Sequence, residues 1–484
     1  MAKDIEVQQR LAISRVPINK QDPELRKNNW DEVFLGFDLE HARIEATRCL
    51  HCPTAPCQDA CPVGNDIPGA LILLEQGDVN GAAERFRETS NLPELCGRLC
   101  PQERLCEGEC VVAFAIRPDS HQEPPVEIGK LEAFVTDYQR KNLGVPIPVL
   151  PEATGMKVAV VGAGPAGMAV AEELAKLGHS CTMYDAWPEP GGILLYGIPN
   201  FKLSKDVLRD KLAYLDRLGV SFVGNTWVGK DVTVDDLFNQ GFNAVFVGTG
   251  AGLGGQLAIE GEEHRGIYAA TEFLVRGNLR PDQLPEHMRD PLDMGKDVVV
   301  IGGGDTSMDC VRTAVRLGAE RVTCVYRRTE AEMLGRTEER EHARQEGVQF
   351  QWLTIPLRFL GDDDGNVTGV ECQRMELGEP DESGRRRPIP VPHSEFVIPA
   401  TTVAVAIGYN ADPIIKDAAP GVSTNRWNLV EVHPETYMTT RPGVFAGGDN
   451  VNGADLVVTA LADGRRAAAA IHTYLESLAA PARR

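Results

Sequence analysis

Eight of the twelve cysteines crowd into residues 49–110 of a 484-residue chain. They run Cys49-x2-Cys52-x4-Cys57-x3-Cys61-Pro62, then Cys96-x3-Cys100-Pro101-x4-Cys106-x3-Cys110. Three chemistries use thiols at this density. Disulfides need an oxidising compartment, and the N-terminus MAKDIEVQQR has no apolar signal core. Structural zinc favours paired C-x2-C knuckles, and only Cys49–Cys52 has that form. Closely spaced thiolates ending in Cys-Pro suit iron–sulfur clusters, where the last cysteine of a run serves the other cluster. The expected metal content is two [4Fe–4S] clusters, with zinc and disulfides as the other readings. Cys181, Cys310, Cys324 and Cys372 are isolated.

Two glycine-rich turns suit nucleotides. Gly162-Ala163-Gly164-Pro165-Ala166-Gly167 fits G-x-G-x-x-G. Its first glycine permits a tight turn, its second lets backbone approach a pyrophosphate, and its third lets helix and strand pack closely. The helix that follows points its positive end at the phosphates. Asp185 ends the next strand, where an acid accepts from ribose hydroxyls. The second turn, Gly302-Gly303-Gly304-Asp305-Thr306-Ser307, carries a serine at the third position. Its following strand ends in Arg327-Arg328, which suit a ribose 2′-phosphate and so NADPH over NADH. The plain alternative is that these arginines face solvent. Arg336 is a further candidate for the same phosphate. Near the C-terminus, GVFAGGDNVNGADLVVTALADGRRAAAA joins a strand, the turn Gly447-Gly448-Asp449 and an alanine-rich helix. Flavoproteins with two dinucleotide folds end this way, with the aspartate on the ribityl chain; Gly448 and Asp449 are therefore candidate FAD residues. Alone, Gly-Gly-Asp is only a turn.

The elements around these residues follow from periodicity. MKVAVVGAG, PAGMAVAEELAKLGH and SCTMYD read as strand, helix and strand, and the texture returns in KDVVVIGGGDTSMDCVRTAVRLGAERVTCVYRR. FVGTGA (246–251) and VAIGYN (405–410) read as strands returning between the two folds. GALILLEQGDVNGAAERFRETSN predicts two short helices, a further helix runs from about Lys130 to Lys141, and PELRKNNWDEVFLGFD reads as helical. Prolines at 146, 148 and 151 mark a linker. Residues 361–390 read as a hairpin with Arg385-Arg386-Arg387 at a solvated tip, and 336–346 as an exposed helical face.

The expected fold is α/β. A helical iron–sulfur domain, 1–150, precedes two Rossmann-like domains, the second inserted in the first: FAD on 151–290 and 406–484, NADPH on 291–405. A net charge of −21 argues against a nucleic-acid partner. No apolar run approaches the roughly 18 residues of a membrane span, so a cytoplasmic location is expected.

With these parts in this order, the chain resembles the small (beta) subunit of bacterial NADPH-dependent glutamate synthase. The resemblance rests on the cysteine spacing, PGGILLYGIPNFKL (190–203), GGGDTSMDCVRTAVRLGA (302–319) and the Gly-Gly-Asp terminus. The first two domains also resemble the amino half of dihydropyrimidine dehydrogenase. The resemblance implies that Cys49, Cys52, Cys57 and Cys110 hold one cluster. Cys61, Cys100 and Cys106 hold the other, with a side-chain oxygen from Glu132 in IGKLEAF (128–134) as fourth ligand and Cys96 as a non-ligand neighbour. Leu334 stands where relatives carry a proline, which bears on Arg336. The implied reaction is hydride transfer from NADPH to flavin N5, then single-electron relay through the clusters. Gly192 and the segment Leu195-Tyr196-Gly197-Ile198-Pro199 are expected beside the flavin, with Lys202 supplying positive charge; Tyr196, Gly197 and Lys202 are the candidate catalytic residues. The implied partner is the large (alpha) glutamate synthase subunit, which makes glutamate from glutamine and 2-oxoglutarate. An electron donor to a pyrimidine-reducing or ferredoxin-type partner is an alternative. A non-catalytic zinc-binding scaffold is another.

Overall fold

The computed structural model describes residues 6–115, 122–382 and 384–479. Two five-stranded parallel sheets form its centre. In the first, Lys157–Val161 lies between Ala244–Val247 and Ser180–Tyr184, with Val444–Ala446 and Ser221–Val223 outside them. In the second, Asp297–Ile301 lies between Arg321–Val325 and Thr402–Val405, with Gln349–Gln351 and Ile267–Ala269 at the edges. Strands of a parallel sheet are covered on both faces, so they read as unbroken apolar runs. KVAVV and DVVVI are such runs, and all but their first residues are buried.

Each central strand feeds a helix, Pro165–Lys176 in the first unit and Asp305–Arg316 in the second. The long helix Val457–Ala479 packs against Pro165–Lys176, closely enough that a Cβ at Gly464 would stand 2.4 Å from the Ala166 carbonyl oxygen. One boundary moves. Ile267–Ala269, expected in the flavin domain, pairs with Thr402–Val405, and helix Ala270–Asn278 follows it. The second sheet therefore begins before residue 291. The two connections between units pair only briefly, Leu253–Gly254 with Tyr409–Asn410. The expected hairpin is present, as Val367–Pro380 and Arg386–Pro399 beside Thr354–Gly361.

The N-terminal unit is helical: Leu39–Thr47, Ile67–Gln76, Val79–Arg87, Pro93–Leu99 and Ile128–Asn142. Asp66 and Asp78 cap two of these helices by accepting from the backbones of Gly69 and Gly81. Leu92 and Leu95 share one core with the first sheet, so the helical unit and the flavin-type unit are packed as neighbours. No helix or strand lies between Leu143 and Met156, in keeping with a linker.

Two expectations fail. PELRKNNWDEVFLGFD is helical only over Pro23–Arg26, then extends into the strand Phe34–Gly36. Its Asn side chains bond nearby backbone instead: Asn28 donates to the Glu24 carbonyl, and Asn29 accepts from the Asp31 N–H. Residues 336–346 form a helix, Thr337–Gln345, with Glu341 and Arg344 exposed, but its other face is not solvated: Arg336, Glu339, His342 and Glu346 are buried. Glu346 receives Arg312, Arg316 and Arg26, and Glu339 receives Arg312.

This seam is acid-sensitive. Burial, reinforced by Arg312 and Arg26 and opposed by Glu339 and Glu338, pushes the His342 imidazole down to about 3. Below pH ~6.5 an unfolded chain protonates this histidine while the folded one does not. Stability is thus full above ~6.5 and falls as pH drops towards 3, by up to about 1.4 kcal/mol per pH unit from this group. Urea unfolding of wild type and His342→Gln between pH 7 and 4.5 checks this. A shallower decline is expected in the variant; parallel curves refute the assignment.

Candidate functional site

The first glycine turn is shaped by contacts that exclude side chains. Gly162 has φ +98°, and a Cβ there would stand 2.2 Å from the Gly248 carbonyl oxygen. A Cβ at Gly167 would stand 1.9 Å from the Gly162 carbonyl oxygen. Gly164 differs: its Cβ would meet only Gly192 Cα, at 4.0 Å. The helix Pro165–Lys176 begins at this open edge. Asp185 ends the neighbouring strand and ties the turn, accepting from the Ala163 N–H at 2.8 Å and the Trp187 N–H at 3.0 Å. Gly448 closes the other side, where its Cβ would meet Ala166 Cβ at 3.0 Å. Burial pushes the Asp449 carboxyl up to about 6. Asp463, not singled out in the sequence, accepts from Gly448 N–H at 3.1 Å and from Asn452 at 2.6 Å.

The second turn repeats the plan. A Cβ at Gly302 would clash with the Ala406 carbonyl oxygen at 2.1 Å, whereas one at Gly304 meets nothing within 4 Å. Ser307 is buried and donates to the Ala406 carbonyl at 3.4 Å, so it fills the third-glycine position with a bond to the backbone just past the strand Thr402–Val405. Thr306 follows Asp305 on the first turn of the helix. The arginines separate. Arg327 is exposed, but Arg328 is buried and bonds the Asp381 carboxylate at 2.6 Å and the Arg386 carbonyl at 2.7 Å. Arg336 turns away from solvent altogether: its guanidinium donates to Gln102 at 2.9 Å and the Arg98 carbonyl at 3.1 Å, while its N–H donates to Asp305.

The cysteines form two groups. Cys49, Cys52, Cys57 and Cys110 line one cavity walled by Pro56, Ile67, Pro68 and Leu71. Burial pushes the Cys49 thiol up to about 12 and the Cys57 thiol to about 11, and the neighbouring cysteines add to both shifts. Cys61, Cys100 and Cys106 form the second group, within electrostatic reach of Glu132 and, for Cys61 and Cys100, of Cys96. Glu132 comes from helix Ile128–Asn142 and accepts from Asn65 at 3.0 Å; burial raises its carboxyl well above the usual range. Cys96 comes from helix Pro93–Leu99, with Ser90 Oγ 3.9 Å from its sulfur. Both disputed donors therefore face the same group. All twelve cysteines are free of disulfides. Among the described residues no three His, Cys, Asp or Glu side chains form a group able to hold one metal ion. A metal held by these thiols offsets their raised pKa by displacing their protons.

The expected catalytic segment lies over the first turn, since a Cβ at Gly192 would stand 2.8 Å from Gly164 Cα. Leu195, Tyr196 and Gly197 are buried there. The Tyr196 hydroxyl is occupied, accepting from the Glu189 N–H at 2.9 Å, and its ring packs on Trp187 at 4.3 Å. Lys202 pairs with Asp309 of the second unit at 3.1 Å, so its charge is engaged across the domain boundary. Burial pushes the Asp309 carboxyl up to about 6, although Lys202 pulls the other way. Lys205 went unnoticed in sequence, because it opens an ordinary helix. It is buried and donates to the carbonyls of Leu194 at 2.7 Å and Ile198 at 2.5 Å, which braces the segment from beneath. Burial pushes its ammonium down to about 7.

Two families of known proteins match successive parts of the chain. Residues 26–143 match the family described as dihydropyrimidine dehydrogenase domain II, 4Fe-4S cluster, and residues 156–464 match pyridine nucleotide-disulphide oxidoreductase. The chain is 41% identical to the glutamate synthase [NADPH] small chain of Escherichia coli (strain K12), over 97% of this chain and 99% of that one. It is 42% identical to the oxidoreductase AegA of the same organism, over 93% of this chain and 68% of that one. Among solved structures, FprA of Mycobacterium tuberculosis in complex with NADPH superimposes with a TM-score of 0.56 at 20% identity, covering 67% of this chain and 85% of that one. That last likeness is one of fold.

Proposed function

The chain belongs to the pyridine nucleotide-disulphide oxidoreductases that carry an amino-terminal 4Fe-4S domain of the dihydropyrimidine dehydrogenase type, and from that premise we propose that it is the electron-input subunit of a glutamate synthase. The observation that carries the reading is near-full-length identity to a glutamate synthase small chain. The two glycine turns would hold FAD and NADPH and the two thiol groups two [4Fe–4S] clusters; bound there, these groups would supply hydride transfer, two electrons and one proton, from NADPH to FAD, and one-electron relay onward.

The residues of the chain position and enclose. Gly162, Gly164, Pro165, Ala166 and Gly167 offer backbone and a helix N-terminus to the FAD pyrophosphate. Asp185, Gly448 and Asp449 flank it, and Gly192, Leu195, Tyr196 and Gly197 pack over it. Gly302, Gly304, Asp305 and Thr306 offer the equivalent surface to NADPH. Of the arginine pair, exposed Arg327 suits the 2′-phosphate best, because Arg328 is already committed to Asp381 and Arg386. Arg327→Ala is expected to lower the NADPH-over-NADH preference about tenfold or more, by removing a charge-assisted contact. An unchanged ratio of kcat/KM for the two coenzymes refutes the role. Cys49, Cys52, Cys57 and Cys110 hold one cluster; Cys61, Cys100, Cys106 and Glu132 hold the other. Lys202, paired with Asp309, sits where the two nucleotide units meet.

The partner is a large glutamate synthase subunit, and the site of action is the cytoplasm; among the described residues no helix is long and apolar enough to cross a membrane. The identity to AegA supports a second reading, the same NADPH-fed relay serving another acceptor. Co-purification, then glutamine-dependent NADPH oxidation with 2-oxoglutarate, tests the choice. Activity only in the presence of the large subunit supports the first reading. NADPH oxidation by artificial acceptors, with none from that mixture, favours the second.

A further inference from the structure

The two nucleotide units are joined by two connections that pair over only two residues each. Units linked so thinly are expected to move relative to one another unless something else holds them. Here a third segment does. Residues 19–36 precede every cysteine of the cluster motif and run across the seam between the two units.

On the flavin side, the Val33 N–H donates to the Phe201 carbonyl at 3.0 Å, Asn200 donates to the Trp30 carbonyl at 2.8 Å, and the Ser204 N–H donates to Glu32 at 2.8 Å. On the other side, Arg26 bonds Glu346 at 2.9 Å and Gln345 at 2.7 Å, Arg316 donates to the Asn29 carbonyl at 2.9 Å, and Lys20 pairs with Glu338 at 2.9 Å. The Arg26 and Glu346 side chains are 2% and 0% exposed, so water does not screen this pair. Phe201 of the flavin-type unit sits beneath Arg312 and Arg316 of the other, at 4.5 and 4.0 Å.

We infer that residues 19–36 are a strap that fixes the orientation of the second nucleotide unit against the first, and that Arg26 is a positioning residue for hydride transfer. The inference rests on the proposed transfer between NADPH and FAD. That transfer needs reacting atoms about 3–3.5 Å apart, and a misplacement of about 1 Å costs on the order of 100-fold. A strap acting on orientation alone changes the rate of transfer and leaves each nucleotide site intact.

Arg26→Met is the test. The substitution leaves Glu346 with two arginine partners, so no buried charge is abandoned and the fold is expected to survive. Phe201→Leu loosens the same seam from the flavin side and serves if the first variant is unstable. Stopped-flow reduction of the flavin by NADPH should slow about tenfold or more in each, with full flavin and iron content. The Kd for NADP⁺ should stay within about threefold, the charge-transfer absorbance between nicotinamide and flavin should fade, and Arg26→Lys, which keeps the charge but not the fork that also reaches Gln345, should recover only part of the rate. Wild-type rates in both Arg26→Met and Phe201→Leu overturn the strap alone. A wild-type flavin that NADPH fails to reduce overturns the functional reading, and the strap with it.

Discussion

Cys57→Ser protein is expected to take a hydride from NADPH still but to pass no electrons on. Cys57 lines the cavity shared by Cys49, Cys52 and Cys110, in a unit separate from both glycine turns. Losing one thiolate is expected to cost that group its cluster, so iron falls from about eight to about four per chain. Flavin reduction should stay near wild type, while transfer to the large subunit drops by about 100-fold or more, because the relay is broken rather than slowed. The same assay settles the eighth donor. Glu132→Ala should cost about four iron, whereas Cys96→Ser should cost none. Iron loss from Cys96→Ser, with retention in Glu132→Ala, reverses the ligand assignment. Full iron and full transfer in Cys57→Ser sinks the relay itself.

Gly164→Ala should fold normally yet lose FAD. A methyl group at this position has no neighbour nearer than 4.0 Å in the protein, so packing does not oppose it. If a pyrophosphate sits against this backbone, the methyl occupies its place, and about 2–3 kcal/mol of binding, roughly 100-fold, is lost. Gly167→Ala is the contrasting variant. Its methyl would stand 1.9 Å from the Gly162 carbonyl oxygen, so the turn itself deforms. Thermal unfolding of the apo-proteins together with FAD titration separates the two: unchanged apo stability with weakened FAD for Gly164→Ala, lowered apo stability for Gly167→Ala. FAD affinity equal to wild type in Gly164→Ala removes the first turn from the flavin site.

The sheets and turns were legible because their determinants are local. KVAVV and DVVVI are apolar without alternation, as doubly covered strands must be, and each runs into glycines that a tight turn requires. The iron–sulfur unit was legible for a similar reason: thiols at fixed short spacings leave few chemical uses. The charged segments were misread. RTEEREHARQE looks like a solvated face because its partners, Arg26, Arg312 and Arg316, are distant or unremarkable in sequence. Arg328, and less directly Arg336, look available to a phosphate for the same reason.

Sequence alone determined the cofactor chemistry, the order of the units and the paired dinucleotide folds, since these depend on residue types at short range. Tertiary structure alone decided which charges are free. Arg328 is spent on a hairpin, Arg336 on Gln102, Lys202 on Asp309 and Arg26 on Glu346. Ion pairs between residues 53, 107 and 320 positions apart leave no periodic trace, yet burying an unpaired charge is costly enough that each must find its partner as the units close.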